Sequence, residues 1–218
     1  MTLEALAKRY PRLYHVTIPG AWLNIKKHGL WSTSYILDQL EIQGTQRTLI
    51  ETKRRALEIT LKHPYYGYIV INDNIPLNEQ ILKNCLNDDL TPEDWFRMLN
   101  ARVFFWPNKE KLNRLLAARG NKNRLREVIV VDTLSLIKKH AERMEISPIN
   151  SGSTIRKAAR RGLNTFVPLI QNDWIKKFKP HSQICEIIVR NYIQDISEHT
   201  IEVFLTKNKK VKQILPPL

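Results

Sequence analysis

The sequence predicts an α+β fold in a single domain spanning residues 1–218. Three observations carry this. β-rich runs gather at the beginning, the middle and the end of the chain, and capped helical segments lie between them. Apolar residues make up 43% of the 218 positions, enough to bury a sizeable core. No internal repeat or low-complexity linker divides the chain.

Residues 2–9 read as a short helix closed by Pro11. Residues 12–17 read as a strand with Leu13, His15 and Thr17 on one face and Tyr14 and Val16 on the other. A helix follows, with Pro19 near its start and Gly29 just past its end. Residues 46–62, with apolar positions at 49, 50, 57, 59 and 61, predict a helix with one basic face. "YGYIVI" (66–71) predicts a strand, and "NDN" is its exit. Thr91, Pro92 and Asp94 form a helix start, with Thr91 as cap. "RVFFWP" (102–107) predicts a strand stopped by proline, and Asn108 caps the helix that Gly120 ends. "EVIVVDT" (127–133) predicts a buried strand and "LSLIKKHAERM" a helix. "ISPINSGST" reads as a loop, and "QICEIIVR" and "TIEVFLT" as two closing strands.

Lys and Arg number 35 against 21 Asp and Glu, a formal charge of +14. Such an excess favours a polyanionic partner, nucleic acid first, because neutralising phosphates releases counterions. No apolar run reaches membrane-spanning length, and "MTLEALAKRY" has no signal-peptide core, so a soluble cytoplasmic protein without a membrane partner is expected. Cys85 and Cys185 stand alone, and no CxxC or HExxH spacing occurs. Reduced thiols and no metal are the expectation, and His28, His63, His140, His181 and His199 show no ligand spacing.

Three elements could carry chemistry: His15 with Thr17, the aromatic run Phe104-Phe105-Trp106, and Glu186 in "ICEIIV". Glu186 shares a face with Ile184 and Ile188, where a carboxylate loses hydration and needs partners. Arg102 suits a salt bridge or a substrate contact equally. Asn150, Ser151 and Gly152 belong either to a connector or to a set of donors near a ligand. The densest basic runs are "RKAARR" (156–161) and "KNKK" (207–210), with Lys53, Arg54 and Arg55 as an extension. Each is a solvated face or a phosphate-contacting one.

The segment "YHVT…W-x-x-I…GLWSTS" resembles the amino-terminal NAD-binding element of the ADP-ribosyltransferase superfamily. "RVFFWPNKEKLNRLL" is similar to that superfamily's aromatic strand and helix, and "QICEIIVRNYIQDISEHTIEVFLT" to its terminal hairpin, which the catalytic glutamate opens. The nearest resemblance is to DarT-like toxins and bacterial relatives with an "SPINSG" loop. It covers roughly half the chain, at three places in the right order. It implies a split mixed or antiparallel sheet flanked by helices, with a helical insertion over about residues 35–100.

The resemblance also implies roles. NAD would be the co-substrate, with His15 on the adenosine ribose, Val16 and Thr17 beside it, and Asn24, Ser32 and Thr33 in contact. Glu186 would bind the nicotinamide ribose. An arginine is expected from a window holding Arg47, Arg54 and Arg55, with Arg54 the candidate carried forward. The family's stacking tyrosine has no counterpart: Leu112 and Leu115 stand in that helix, leaving Phe105, Trp106 or Tyr35 to stack. Beside such a site, and from their own chemistry rather than the resemblance, Arg102, Asn150, Ser151, Arg156, Lys157, Arg160 and Arg161 are the candidates to contact the acceptor. The activity implied is NAD-dependent mono-ADP-ribosyl transfer to DNA or RNA, in a toxin or phage-defence effector paired with an antitoxin or immunity partner. Transfer to protein, NAD-dependent RNA phosphate chemistry and inactive nucleic-acid binding are the alternatives.

Overall fold

The computed structural model describes residues 2–155, 158–170 and 183–215. The elements run α1 (Leu3–Arg9), β1 (Arg12–Thr17), α2 (Ala21–His28), β2 (Leu30–Trp31), α3 (Thr33–Gln39), α4 (Gly44–Thr52), β3 (Ile59–His63) and β4 (Gly67–Ile71). They continue with α5 (Glu79–Cys85), α6 (Pro92–Asn100), β5 (Arg102–Phe105), α7 (Lys109–Ala117), β6 (Arg126–Asp132), α8 (Thr133–His140) and β7 (Met144–Ser147). The last are β8 (Val167–Pro168), β9 (Glu186–Arg190), β10 (Tyr192–Ile193), α9 (Ile196–His199), β11 (Thr200–Lys207) and β12 (Lys210–Leu215).

This is a mixed α+β architecture. Two four-stranded sheets dominate the described residues, ordered β1-β6-β11-β12 and β5-β9-β7-β8, with antiparallel neighbours throughout. They meet at one rung. The Tyr14 N–H donates to Trp106 O at 3.0 Å and the Trp106 N–H to Tyr14 O at 2.9 Å. Period-2 alternation would make Val16 and Phe104 the next rung. It does not form. The Phe104 carbonyl instead accepts from His15 Nδ1 at 3.0 Å, so β1 and β5 diverge beyond that point.

One core lies beneath both sheets. Leu13, Ile129, Val131 and Val203 of the first sheet pack with Phe105, Ile187 and Val189 of the second, under Leu6, Trp22 and Leu136. The opposite face is covered in two separate pieces. Leu112 and Leu116 of α7 pack on Tyr14, Val128 and Val130. Trp95, Phe96 and Phe166 pack on Ile188 and Phe104. The split therefore runs between two covered lobes.

Local chemistry explains the elements beside the split. Helix α2 starts at Gly20, which is left-handed (φ 83°) and supplies no side-chain cap. The cap comes from Glu127 of β6, opposite Thr17 in register, which accepts from the Gly20 N–H at 2.9 Å and the Trp22 N–H at 2.6 Å. Burial pushes this carboxyl up while those two donors pull it down. Helix α6 begins with the expected box, Thr91 and Asp94 capping each other's backbone.

Several expectations change. The helix over 46–62 ends at Thr52, and residues 59–63 form β3 paired with β4. The apolar positions 57, 59 and 61 repeat every two residues, which is a strand period. Residues 35–100, expected to be helical, thus hold a hairpin besides helices. Ile146 and Ser147 belong to strand β7, which is paired only with distant strands. "KNKK" is the β11–β12 hairpin turn, with Asn208 and Lys209 at positive φ, at the sheet edge remote from the split.

Below the main core, α8 and α9 are joined by ionic contacts. Asp195 takes His140 Nε2 at 2.8 Å and Lys139 Nζ at 2.8 Å. Burial alone would raise its carboxyl, but Lys139, His140 and its own backbone N–H hold it down to about 2. A carboxyl held below its unfolded value of about 3.9 stabilises the fold above that pH and loses the contribution as pH falls toward 2. Asp195→Asn is expected to cost about 2 kcal/mol at pH 7. In denaturant titrations across pH, the difference from wild type should shrink below about pH 4.

Candidate active site

The gap between β1 and β5 opens into two cavities. The first, about 480 Å³, is walled by His15, Thr17, Gly20 and Asn24 on one side and by the β4 run Tyr68–Ile71 on the other. The second, about 1000 Å³, has Glu186, the loop residues Asn150–Ser153, and Lys111 and Arg114 of α7 in its wall. Both lie in or near the size range of small-molecule sites. They share nine lining residues, among them Val16, Arg55, Asp73, Phe104 and Trp106, so they are chambers of one cleft. His15 and Glu186 project from opposite faces of the strands, His15 with Leu13 and Phe105, Glu186 with Ile188. A continuous sheet would separate them. The split is what gives both access to the same cleft.

Glu186 is 4% exposed. Its Oε1 accepts from the Ser151 N–H at 3.0 Å, and Oε2 has no hydrogen-bond partner among the described residues. Burial pushes the carboxyl up to about 7, against Ser151 and the charges of Arg161 and Lys111. His15 is held by Phe104 O through Nδ1 and lies edge-on to Phe105 at 5.7 Å. A carbonyl only accepts, so Nδ1 carries the proton. Burial lowers this imidazole's pKa, leaving a neutral ring with an Nε2 lone pair. The second rung is missing, so the Val16 peptide groups that would have made it face the gap.

The other anticipated cofactor residues divide. Thr33 lines both chambers, and Asn24 lines the first while its Nδ2–H donates to Tyr66 O at 2.9 Å. Ser32 lines the first chamber, but its Oγ caps α3 by accepting from the Tyr35 N–H. Phe105 is corrected: at 1% exposure it belongs to the core, because alternation turns Phe104 and Trp106, not Phe105, to the cleft. Tyr35 packs on Tyr192 and Trp31 outside both chambers.

The arginine expectation is corrected too. Arg54 lies outside the cleft, donating to Ile75 O. Arg47 is bound to Asp38 and Glu51. Arg55 lines both chambers, anchored to Asn72 O, Ile50 O and Asn100 Oδ1. Burial lowers it to about 10, with Asp73 opposing, so it stays cationic at neutral pH.

The acceptor set also divides. Asn150 and Ser151 line the second chamber. Arg102 lines both but is committed to Glu145 at 2.7 Å, Met98 O and the Phe166 ring, which favours its structural role. Arg160 donates to Asn84 O away from the chambers, and Arg161 is 2% exposed with its donors on loop carbonyls. Arg160 is exposed but, like buried Arg161, lines neither chamber, and Arg156 and Lys157 lie outside the described residues. The basic rim comes instead from Lys111, Arg114 and Arg119.

A model of one family matches residues 11–200, most of the chain and every part of the cleft described. The chain belongs to DUF7002, a family of unknown function. No curated protein matches it. The DUF7002 cleft must therefore be read from its own chemistry.

Tyr68, not among the residues the sequence points to, lies 67% exposed in the wall of the first chamber with Lys62 Nζ 5.7 Å from its ring. Its signal was the polar face of "YGYIVI". Nor does the sequence point to a second cluster: His140, Asp195 and His199 lie within ligand distance of one another. Arg143 donates to His140 Nδ1 and Lys139 pairs with Asp195, so cations already occupy that cluster. No described helix of this DUF7002 chain is long and apolar enough to cross a membrane.

A group whose folded pKa is raised stabilises the fold below its unfolded value and loses that contribution as pH rises through about 7. Replacing Glu186 by Gln removes the charge that burial penalises. Glu186→Gln is expected to exceed wild type in stability by up to about 3 kcal/mol at pH 8. The advantage should vanish near pH 4 in thermal melts.

Proposed function

We propose that this DUF7002 chain is an NAD-dependent mono-ADP-ribosyltransferase acting on nucleic acid. The observation that carries the reading is Glu186: a buried carboxyl with one oxygen unpartnered among the described residues, in a chamber joined through a split sheet to the chamber of His15. The two split antiparallel sheets agree with the fold that the sequence resemblance implies.

In this reading the dinucleotide threads the gap. The neutral His15 Nε2 accepts from an adenosine ribose hydroxyl. The open Val16 N–H and C=O form a donor–acceptor pair suited to the nicotinamide carboxamide, with Trp106 beside it for the ring. Arg55, common to both chambers, faces the diphosphate. The bond broken joins C1′ of the nicotinamide ribose to the pyridinium nitrogen, which keeps the electron pair. Positive charge then spreads over C1′ and the ring oxygen, as in glycoside cleavage. Ionised Glu186 lies in a poorly solvated setting where it stabilises that charge strongly. An acceptor nucleophile bonds to C1′, and its proton passes to Glu186 or water.

The acceptor enters by the second chamber. The rim cations Lys111, Arg114 and Arg119, with the chain's +14 charge, favour a phosphate-bearing chain there. A toxin or phage-defence role, with a partner that silences it, is part of the same proposal.

The test incubates the chain with labelled NAD and separate DNA, RNA and protein fractions, following nicotinamide release and retained label. Glu186→Gln should lower kcat/KM by about 10²–10⁴-fold. Arg55→Gln should lower it strongly and Arg54→Gln hardly at all. Because the ionised carboxyl is required, kcat/KM should climb with pH through about 7 and level off above. Label on protein alone would redirect the acceptor assignment. Steep, salt-sensitive nucleic-acid binding without nicotinamide release would leave a binding module.

A further inference from the structure

One buried cation near the cleft, Arg161, touches neither chamber. Arg161 directs its whole guanidinium at backbone carbonyls: NH1 to Ser151 O, NH2 to Ser153 O and Nε to Ala159 O, each at 3.0 Å. None of these bonds goes to a carboxylate. Its own backbone is fixed to the end of α5, the Arg161 N–H donating to Cys85 O at 2.9 Å and the Asn87 N–H to Arg161 O at 2.8 Å. The Ser151 carbonyl takes a second donor, Trp95 Nε1–H at 3.3 Å, and the guanidinium lies 5.7 Å from the centre of the Trp95 rings. Trp95 is itself stacked on Phe166.

Residue 151 is thus held from behind by two donors while its N–H is presented forward to Glu186 Oε1. We propose that Arg161 is a positioning residue, which with Trp95 clamps the Ser151 carbonyl and thereby keeps the Ser151 N–H on the Glu186 carboxylate. The inference rests on the reading of Glu186 as the acidic group of the site. The forked geometry matters here, not only the charge: a planar guanidinium spans two carbonyls at once, and an ammonium does not. Loss of the clamp frees the loop, the carboxylate loses the Ser151 N–H, and its protonated form gains ground.

The test is a carbon-13 NMR titration of the full chain labelled in glutamate carboxyls, with the Glu186 signal assigned by its absence from Glu186→Gln. Arg161→Lys should lower the acid dissociation constant of Glu186 by about tenfold, although the charge is retained. Trp95→Phe keeps the ring and deletes only the donor. It should shift the constant in the same direction by a smaller factor, and it decides the matter should Arg161→Lys fail to fold. Wild-type titration in Trp95→Phe, or in a folded Arg161→Lys, would overturn the proposal. No NAD is needed. A shifted titration in a chain that does not cleave NAD would sink the transferase reading alone, and unshifted titration in an active one would sink only the clamp.

Discussion

The structure depends on a rung that is made and a rung that is missing. Tyr14 and Trp106 exchange two backbone hydrogen bonds, and the next pair along does not. His15 fills the vacancy from one side only, giving its Nδ1 proton to the Phe104 carbonyl. A buried carbonyl without a donor costs free energy, so the imidazole lets the sheet open without leaving that group unsatisfied. Everything that makes the cleft follows: two sheets above one common core, two covered lobes on the far face, and a passage between them.

The same arrangement explains why Glu186 tolerates its position. A carboxyl that opens a strand on the face of Ile188 would ordinarily be expelled to solvent; Ile184, expected on that face, precedes the strand and packs in the main core instead. Here Ser151, through side chain and peptide N–H, a nearby buried guanidinium and the ammonium of Lys111 moderate the cost without removing it. The carboxyl is left poised near neutrality with one oxygen unspent. Burial and partial satisfaction together mark a group that the fold retains at an energetic disadvantage.

Much of this was legible in the sequence, and the boundary is physical. The caps of α6 and α7, the alternating strand β1 and the buried strand β6 are written in local patterns, and they stand where those patterns put them. His15 and Glu186 stand out because their types conflict with apolar strands, and Ser151 only as a possible donor in a turn-rich loop. Arg54 and Arg55 are neighbours of identical type, and which one reaches the cleft depends on Asn72 and Asn100, whose approach is tertiary. Phe105 was misplaced because strand alternation is readable but which face is the core is not. The run of basic residues holding Arg161 reads as surface charge, because it gives no hint that one of them satisfies three loop carbonyls.

The central claim is that one ligand spans both chambers and touches groups on opposite faces of a split sheet. The most direct measurement follows the His15 side-chain nitrogens and the Glu186 carboxyl carbon by NMR in a single titration with NAD, at a pH where cleavage is slow. The account predicts that both signals move together and report one Kd. Movement of one without the other, or of neither at saturating NAD, would contradict it.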